Sequence, residues 1–224
     1  LEGCMPVRSL LTLAHTHHAT LTEYLTAQLL LSIRETMRLR ETGRPVVITI
    51  PVNLRNYFPS GTARNFFGII NLGYDFSRQE DSIESVIAFI KEQFQKELTA
   101  EKLRERMNEL SALEHNLLTQ LVPLIIKDPV LRLANYLAER GITAAFSNVG
   151  KVAMPLEMAR YIDSFHVFTS TNRLQACMCS FGEHCVISFS SPFVSTDIQR
   201  AFFRRLTAEG IAVEVTSNQE QLGF

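Results

Sequence analysis

Arg55 directly follows the apolar run Val46-Val47-Ile48-Thr49-Ile50-Pro51-Val52, lies between Asn53 and Asn56, and has no acidic residue close to it in sequence. A guanidinium at a strand end suits a carboxylate held bidentately from elsewhere in the fold, because its planar fork of N–H donors matches two carboxylate oxygens. The competing reading is a loop arginine that faces solvent. A polar loop with Pro59, Gly61 and Asn65 then leads into a second β-rich run, Phe66 to Leu72. A strand, a charged loop and a second strand together present polar groups at the edge of a sheet.

The other candidate groups are weaker. His15-Thr16-His17-His18 groups three imidazoles, but a metal centre needs ligands that converge on one point with supporting partners. These sit at a helix end with no carboxylate or cysteine nearby in sequence, so they read as solvated. His115 reads as a surface residue of a helix. His166 lies in a β-like run with Phe165 and Phe168; it either lines a pocket or is a core or edge histidine. The four cysteines are Cys4, Cys177, Cys179 and Cys185. Cys177 and Cys179 should share one strand face, lack the CxxC spacing, and read as reduced, buried thiols. No GxSxG, HExxH, P-loop or GxGxxG occurs. Neither a complete catalytic set nor a metal site is visible.

Composition narrows the classes. With 224 residues, 46% of them hydrophobic, the chain can bury a real core. A net charge of −1 gives no generic attraction to nucleic acid or acidic lipid. The apolar runs are too short to span a membrane and no signal peptide is seen, which predicts a cytoplasmic protein. Leu1-Glu2-Gly3 has no start character, so the chain reads as an excised or processed piece.

The elements that must position these residues alternate in type. Helices are predicted over Pro6 to His17, from Thr20 to about Glu41, from Ser82, over roughly Ala100 to Leu121, over Val130 to Arg140, and after Ser195 or Thr196. Thr20 with Glu23 forms a capping-box pattern. The helix after Thr20 is apolar nearly all round, which predicts burial on most sides. Gly43 and Gly141 read as helix ends, and Pro123 and Pro129 as interruptions. Strands are predicted at Thr143 to Val149, Ile162 to Thr169, Leu174 to Phe181, Cys185 to Ser190 and Ile211 to Thr216, with a tight turn at Gly182-Glu183-His184. The expected fold is α/β (α+β), a two-layer sandwich with a mixed β-sheet and helices packed on one face.

In this order the motifs resemble a known superfamily. Pro51-Val52-Asn53-Leu54-Arg55 followed by Asn65-Phe66-Phe67-Gly68 is similar to the "D-x-R … GN" segment of chloramphenicol-acetyltransferase-like acyltransferases. That superfamily includes alcohol acetyltransferases, plant CoA-dependent acyltransferases and peptide-synthetase condensation domains. Ser147-Asn148-Val149-Gly150 resembles the "SN-x-G" segment of the alcohol-acetyltransferase branch, and Thr20 to Ala27 resembles its "T-x-t-x-x-L-x-A" helix. Ile187-Ser188-Phe189 to Gly210 resembles the closing strand and helix.

The resemblance implies that residues 1–224 are a single domain, the C-terminal half of a two-half protein with its active site in a tunnel between the halves. The catalytic histidine of an HHxxxDG motif would belong to the N-terminal half; His17-His18 imitates it, with Thr22 and Glu23 in place of Asp and Gly. The implied reaction moves an acyl group from acyl-CoA, or a carrier thioester, to a hydroxyl or amine. No tightly bound cofactor is implied, only acyl-CoA as cosubstrate. Arg55 would pair with the motif aspartate. Asn65 would support the site or satisfy loop backbone groups. Ser147 and Asn148 would face the tunnel, binding substrate or CoA or donating to the oxyanion, and Gly150 and His166 are further candidates for binding substrate or CoA. The implied partners are the missing half and the acyl donor, with self-association through the uncovered face. Alone, the chain would be inactive. The alternative is a non-catalytic docking module of the same fold.

Overall fold

The computed structural model describes residues 1–38, 41–115 and 124–217. The strands are β1 (Glu2–Pro6), β2 (Val46–Asn53), β3 (Phe67–Tyr74), β4 (Ala144–Lys151), β5 (Leu174–Phe181), β6 (His184–Ser190) and β7 (Glu214–Thr216). The helices are α1 (Val7–Thr16), α2 (Leu21–Thr36), α3 (Ile83–Glu97), α4 (Ala100–His115), α5 (Leu124–Arg140), α6 (Leu156–Ala159) and α7 (Asp197–Ala208). The strands form one seven-stranded sheet in the order β3-β2-β4-β5-β6-β1-β7. The β2–β4 and β4–β5 pairs are parallel and the rest antiparallel, so the sheet is mixed as expected.

Strand alternation separates two faces. Val46, Ile48 and Ile50 of β2 join Ile70, Leu72 and Tyr74 of β3, Phe146 of β4 and Met178 of β5 in one core beneath the helices. α2 is packed against β2, α1, α3 and α7, which explains its all-round apolarity. Its capping box is formed: the Glu23 N–H donates to Thr20 Oγ1 at 3.3 Å, and the Thr20 N–H donates to Glu23 Oε2 at 2.7 Å. Polar groups inside α2 are paired. Gln28 Nε2 donates to Tyr24 Oη at 2.7 Å, and Gln28 Oε1 accepts from Arg205 Nε at 2.8 Å.

The opposite face, here the outer face, has two halves. Over β2, β3 and β4 it is bare among the described residues, with Phe67 (52%), Ile69 (50%) and Val149 (53%) exposed. Over β5 and β6 it is covered by the 162–169 segment: Cys179 Sγ donates to the Phe165 carbonyl at 3.0 Å, and Phe165 stacks edge-on against Phe181.

Several expectations are corrected. Ile162 to Thr169 is not a strand. Phe165 and Val167 are half-buried while His166 and Phe168 are exposed, so the alternation records one-sided burial on the sheet, without ladder hydrogen bonds. β1 has no counterpart in the sequence reading. α2 ends at Thr36, not near Glu41 or at Gly43, because the chain leaves the helix at Met37 to pack that side chain against the core. Pro129 lies inside α5 and does not end it. The last strand narrows to Glu214–Thr216. Thr196 occupies the α7 N-cap position without a side-chain bond; Ser195 Oγ accepts from the Asp197 N–H at 3.3 Å instead. Leu117, Leu121 and Pro123, and the side chain of His115, lie outside the described residues.

Candidate functional site

β2 and β4 run parallel, so their C-terminal ends lie at one end of the sheet. β3 is antiparallel to β2, so the residues that precede it are at the same end. Arg55, Asn65, Ser147, Asn148 and Gly150 therefore share that end, although up to 95 residues of chain separate them.

Arg55 sits in a single 3₁₀ turn, Leu54–Asn56, capped by Asn53 Oδ1, which accepts from the Arg55 N–H at 3.1 Å. Its Nη2 donates to the carbonyls of Thr62 at 2.9 Å and Arg64 at 2.8 Å, and the guanidinium lies 6.0 Å from the Phe66 ring centre. Arg55 thus folds its own loop through one terminal nitrogen. Among the described residues its Nε and Nη1 have no partner, and no carboxylate lies within ion-pair distance. Asn65 is exposed, and within the described residues its amide holds no loop backbone group.

Ser147-Asn148-Val149-Gly150 is an irregularity in the β4–β5 ladder: the register shifts between Asn148 and Gly150. Gly150 has φ +86°, the left-handed region that favours glycine. Asn148 holds this bulge by accepting from the Gly150 N–H at 2.8 Å. Its Nδ2 donates to Thr22 Oγ1 at 2.8 Å. Two segments remote in sequence, Thr20 to Ala27 and Ser147 to Gly150, are therefore joined by this hydrogen bond.

His166 is elsewhere. It lies on the outer face beyond β5, with its side chain 41% exposed. Its Nε2 is 2.7 Å from Ser164 Oγ, and its Nδ1 is 2.7 Å from Glu2 Oε2 on β1. The other Glu2 oxygen accepts from Thr216 Oγ1 at 2.8 Å. Burial works against a charge on Glu2, but the hydrogen bonds from His166 and Thr216 outweigh it and hold the carboxyl below its ordinary range.

Register places a polar row across the outer face. Ser147 is opposite Cys177, Cys177 opposite Ser188, Ser188 opposite Glu2, and Glu2 opposite Thr216. Directly opposed residues share a face. Three strand spacings put Ser147 and Glu2 ~14 Å apart along the row. Ser188 Oγ is buried and has no hydrogen-bond partner among the described residues. Burial raises the Cys177 and Cys179 thiols, and pushes Cys185, on the core side, up to about 12. All four cysteines are free. Two hollows border this face. One of about 350 Å³ is lined by Thr49, Ala145, Thr171 and Asn172 among others. One of about 580 Å³ is lined by Glu2, Thr216, Ser190, Phe168, Phe193 and Gln199 among others.

His17 stacks on Tyr24 at 5.4 Å, and Glu84 lies 3.9 Å from its Nδ1, a carboxylate that is remote in sequence. No three His, Cys, Asp or Glu side chains among the described residues are grouped to hold a metal ion. No helix among the described residues is long and apolar enough to cross a membrane. Sequence reasoning missed Glu2, Ser164, Ser188, Thr22 and Thr216 as site neighbours. Thr22 lies within the Thr20 to Ala27 segment. Glu2 gave no signal, since its contact with His166 spans 164 residues.

A family model described as alcohol acetyltransferase matches residues 4–190. No curated protein matches the chain. Solved structures are similar across nearly the whole chain. The first condensation domain of the CDA synthetase is 16% identical at TM-score 0.55, over 93% of this chain and 43% of that one. A PapA2 acyl transferase is 13% identical at TM-score 0.54, over 92% and 44%. The trichothecene 15-O-acetyltransferase of Fusarium sporotrichioides is 13% identical at TM-score 0.54, over 92% and 46%. At these identities the likeness is one of fold. The chain spans less than half the length of each of the three.

Proposed function

The chain belongs to the alcohol acetyltransferase family, and we propose that it is the C-terminal half of an acyltransferase that moves an acyl group from CoA, or from a carrier thioester, to a hydroxyl or amine. The observation that carries this reading is coverage. The fold likeness takes in 92–93% of this chain but only 43–46% of the three acyl-transferring or condensing neighbours.

In this reading the other half supplies a histidine that removes the acceptor proton as the nucleophile attacks the thioester carbonyl. The attack forms an oxyanion that collapses with loss of the thiol, with no covalent enzyme intermediate. Arg55 is a positioning residue. Its Nη2 fastens the 57–66 loop, and its Nε and Nη1, which have no partner among the described residues, are available to an aspartate beside that histidine. The Asn148 bulge ties the end of β4 to α2 and fixes the backbone at Gly150, close to Ser147 in sequence. Ser147 and Asn148 contact substrate or CoA, or donate to the oxyanion. The bare face around Phe67, Ile69 and Val149 is where the other half is seated.

The test uses the whole protein. Arg55→Ala is expected to lower kcat/KM for acetyl-CoA by ~100-fold, through misplacement of the histidine loop, and to lower thermal stability as well. Arg55→Lys should rescue little, since an ammonium cannot bridge two carbonyls and a carboxylate in one plane. Unchanged kinetics in Arg55→Ala would remove the pairing role. Residues 1–224 alone should transfer no acyl group from acetyl-CoA to an alcohol. If the whole protein is equally inert and its first half lacks the histidine, the chain is a docking module of this fold.

A further inference from the structure

The Ser164–His166–Glu2 arrangement is not used by the proposed reaction. A carboxylate accepts hydrogen bonds only. With the Glu2 carboxyl held ionised, the 2.7 Å contact at His166 Nδ1 must therefore be an N–H donated to Glu2 Oε2. In the neutral ring that leaves the Nε2 lone pair facing Ser164, so the Ser164 hydroxyl donates across the 2.7 Å to Nε2. The tautomer and both distances suit a serine activated by a histidine that a carboxylate orients. Thr216 Oγ1 fixes the second Glu2 oxygen at 2.8 Å, so the carboxylate is itself held in place. Ser164 and His166 are both reachable from solvent, and Phe168, two residues after His166, is half exposed and lines the hollow that Glu2 also borders. Opposite Glu2 in register, Ser188 Oγ is a further buried hydroxyl with no partner among the described residues.

We propose that Ser164 is an acyl-accepting nucleophile, with His166 as its general base and Glu2 as the positioning residue, and that it reacts with small activated esters or thioesters. The Ser164 Oγ–H proton passes to His166 Nε2 as Oγ bonds to the carbonyl carbon. The adduct collapses with cleavage of the C–O or C–S bond, and the leaving group takes the proton from His166 to depart as an alcohol or thiol. The product is an ester on Ser164. Water added by the same route releases the carboxylic acid and restores the serine. This activity needs residues of this chain alone and does not rest on the two-half reading. Its readout is a covalently labelled protein, whereas that reading is tested by an acylated acceptor.

The experiment incubates the full 224-residue chain with a fluorophosphonate probe and, separately, with p-nitrophenyl acetate, followed by intact mass and peptide mapping. One label per chain is expected, on the peptide that carries Ser164, and none on Ser164→Ala. His166→Asn should be labelled ~100-fold more slowly. Glu2→Gln should slow labelling at saturating probe while leaving half-saturation unchanged, because it disturbs the base and not the probe contacts. Labelling at other residues, no labelling, or equal rates in His166→Asn would overturn the proposal. Ser164→Cys guards against a folding failure in Ser164→Ala. Its thiol should react with iodoacetamide faster than Cys4 in the same chain, and equal reactivity would overturn the proposal.

Discussion

At Gly150 nothing lies within 4 Å of the position a Cβ would take, so the glycine is required by its φ of +86° and not by space. Gly150→Ala should therefore cost about 1–2 kcal/mol, the ordinary penalty of a left-handed backbone for an L side chain. Asn148→Ala loses the bonds to the Gly150 N–H and to Thr22 Oγ1, and should cost about 1 kcal/mol. Urea unfolding of both variants checks this. If Asn148→Ala matches the parent, the link between β4 and α2 carries no stability. Glu2 gives a pH signature with a definite sign. Its folded-state pKa lies below the ordinary value of 4.5, so its contribution is complete above that value and is lost as pH falls through the lower, folded value. The parent should lose stability below pH 4.5 more steeply than Glu2→Gln; parallel curves of urea midpoint against pH would remove the His166–Glu2 contact as a stabilising one.

The elements differ in how much of their position the chain announces. Thr20 and Glu23 announced α2, and Thr20→Ala should cost about 1 kcal/mol through loss of the cap. β1 was silent because its alternation is half invisible: Gly3 and Met5 are the buried positions, and glycine shows no side chain to count. Gly3 is glycine because α7 approaches it. A Cβ there would lie 2.3 Å from Phe203 Cε1, in the cluster where Phe203 meets Phe189 and Phe202 edge-on. Gly3→Ala should cost about 1–3 kcal/mol by overpacking. Combined with Phe203→Leu it should cost less than the two single changes added, because the smaller side chain yields the space. Additive thermal denaturation energies would show that the two do not press on each other. The longer helices and the β5–β6 hairpin were legible because each depends on neighbours in sequence, whereas the four-residue α6 was not foreseen. The polar row from Ser147 to Thr216 was not, because register across five strands is set by tertiary pairing that no local pattern records. Likewise Arg55 was legible as a special arginine, while its two carbonyl partners depend on how the 57–66 loop closes.

At the scale of the molecule, the outer face is finished on one side and, among the described residues, bare on the other. The 162–169 segment covers β5 and β6, whereas β2, β3 and β4 leave Phe67, Ile69 and Val149 half exposed or more. Two of these residues stand on β3, which is also an edge strand of the sheet. Its edge is only partly blunted: Arg106 of α4 donates to the Ile69 carbonyl at 3.0 Å. Edge strands and contiguous apolar surface both favour association. The chain should therefore self-associate as its concentration rises, with the bare face between copies. Phe67→Lys combined with Ile69→Lys places two like charges on the outer face while leaving Ile70 and Leu72, which point into the core, untouched. The double variant should fold with an unchanged circular dichroism spectrum, sediment as a monomer over the range in which the parent associates, and bind less of a hydrophobic dye. In the whole protein the same two lysines should fall in a covered interface and destabilise it, since charges removed from water without partners cost several kcal/mol (about 3–5 for a broken buried pair). The two results separate the readings. Loss of association in this chain together with loss of stability in the whole protein assigns the bare face to the other half. If the parent is monomeric at high concentration and binds no dye, the face needs no cover and the two-half reading loses its surface.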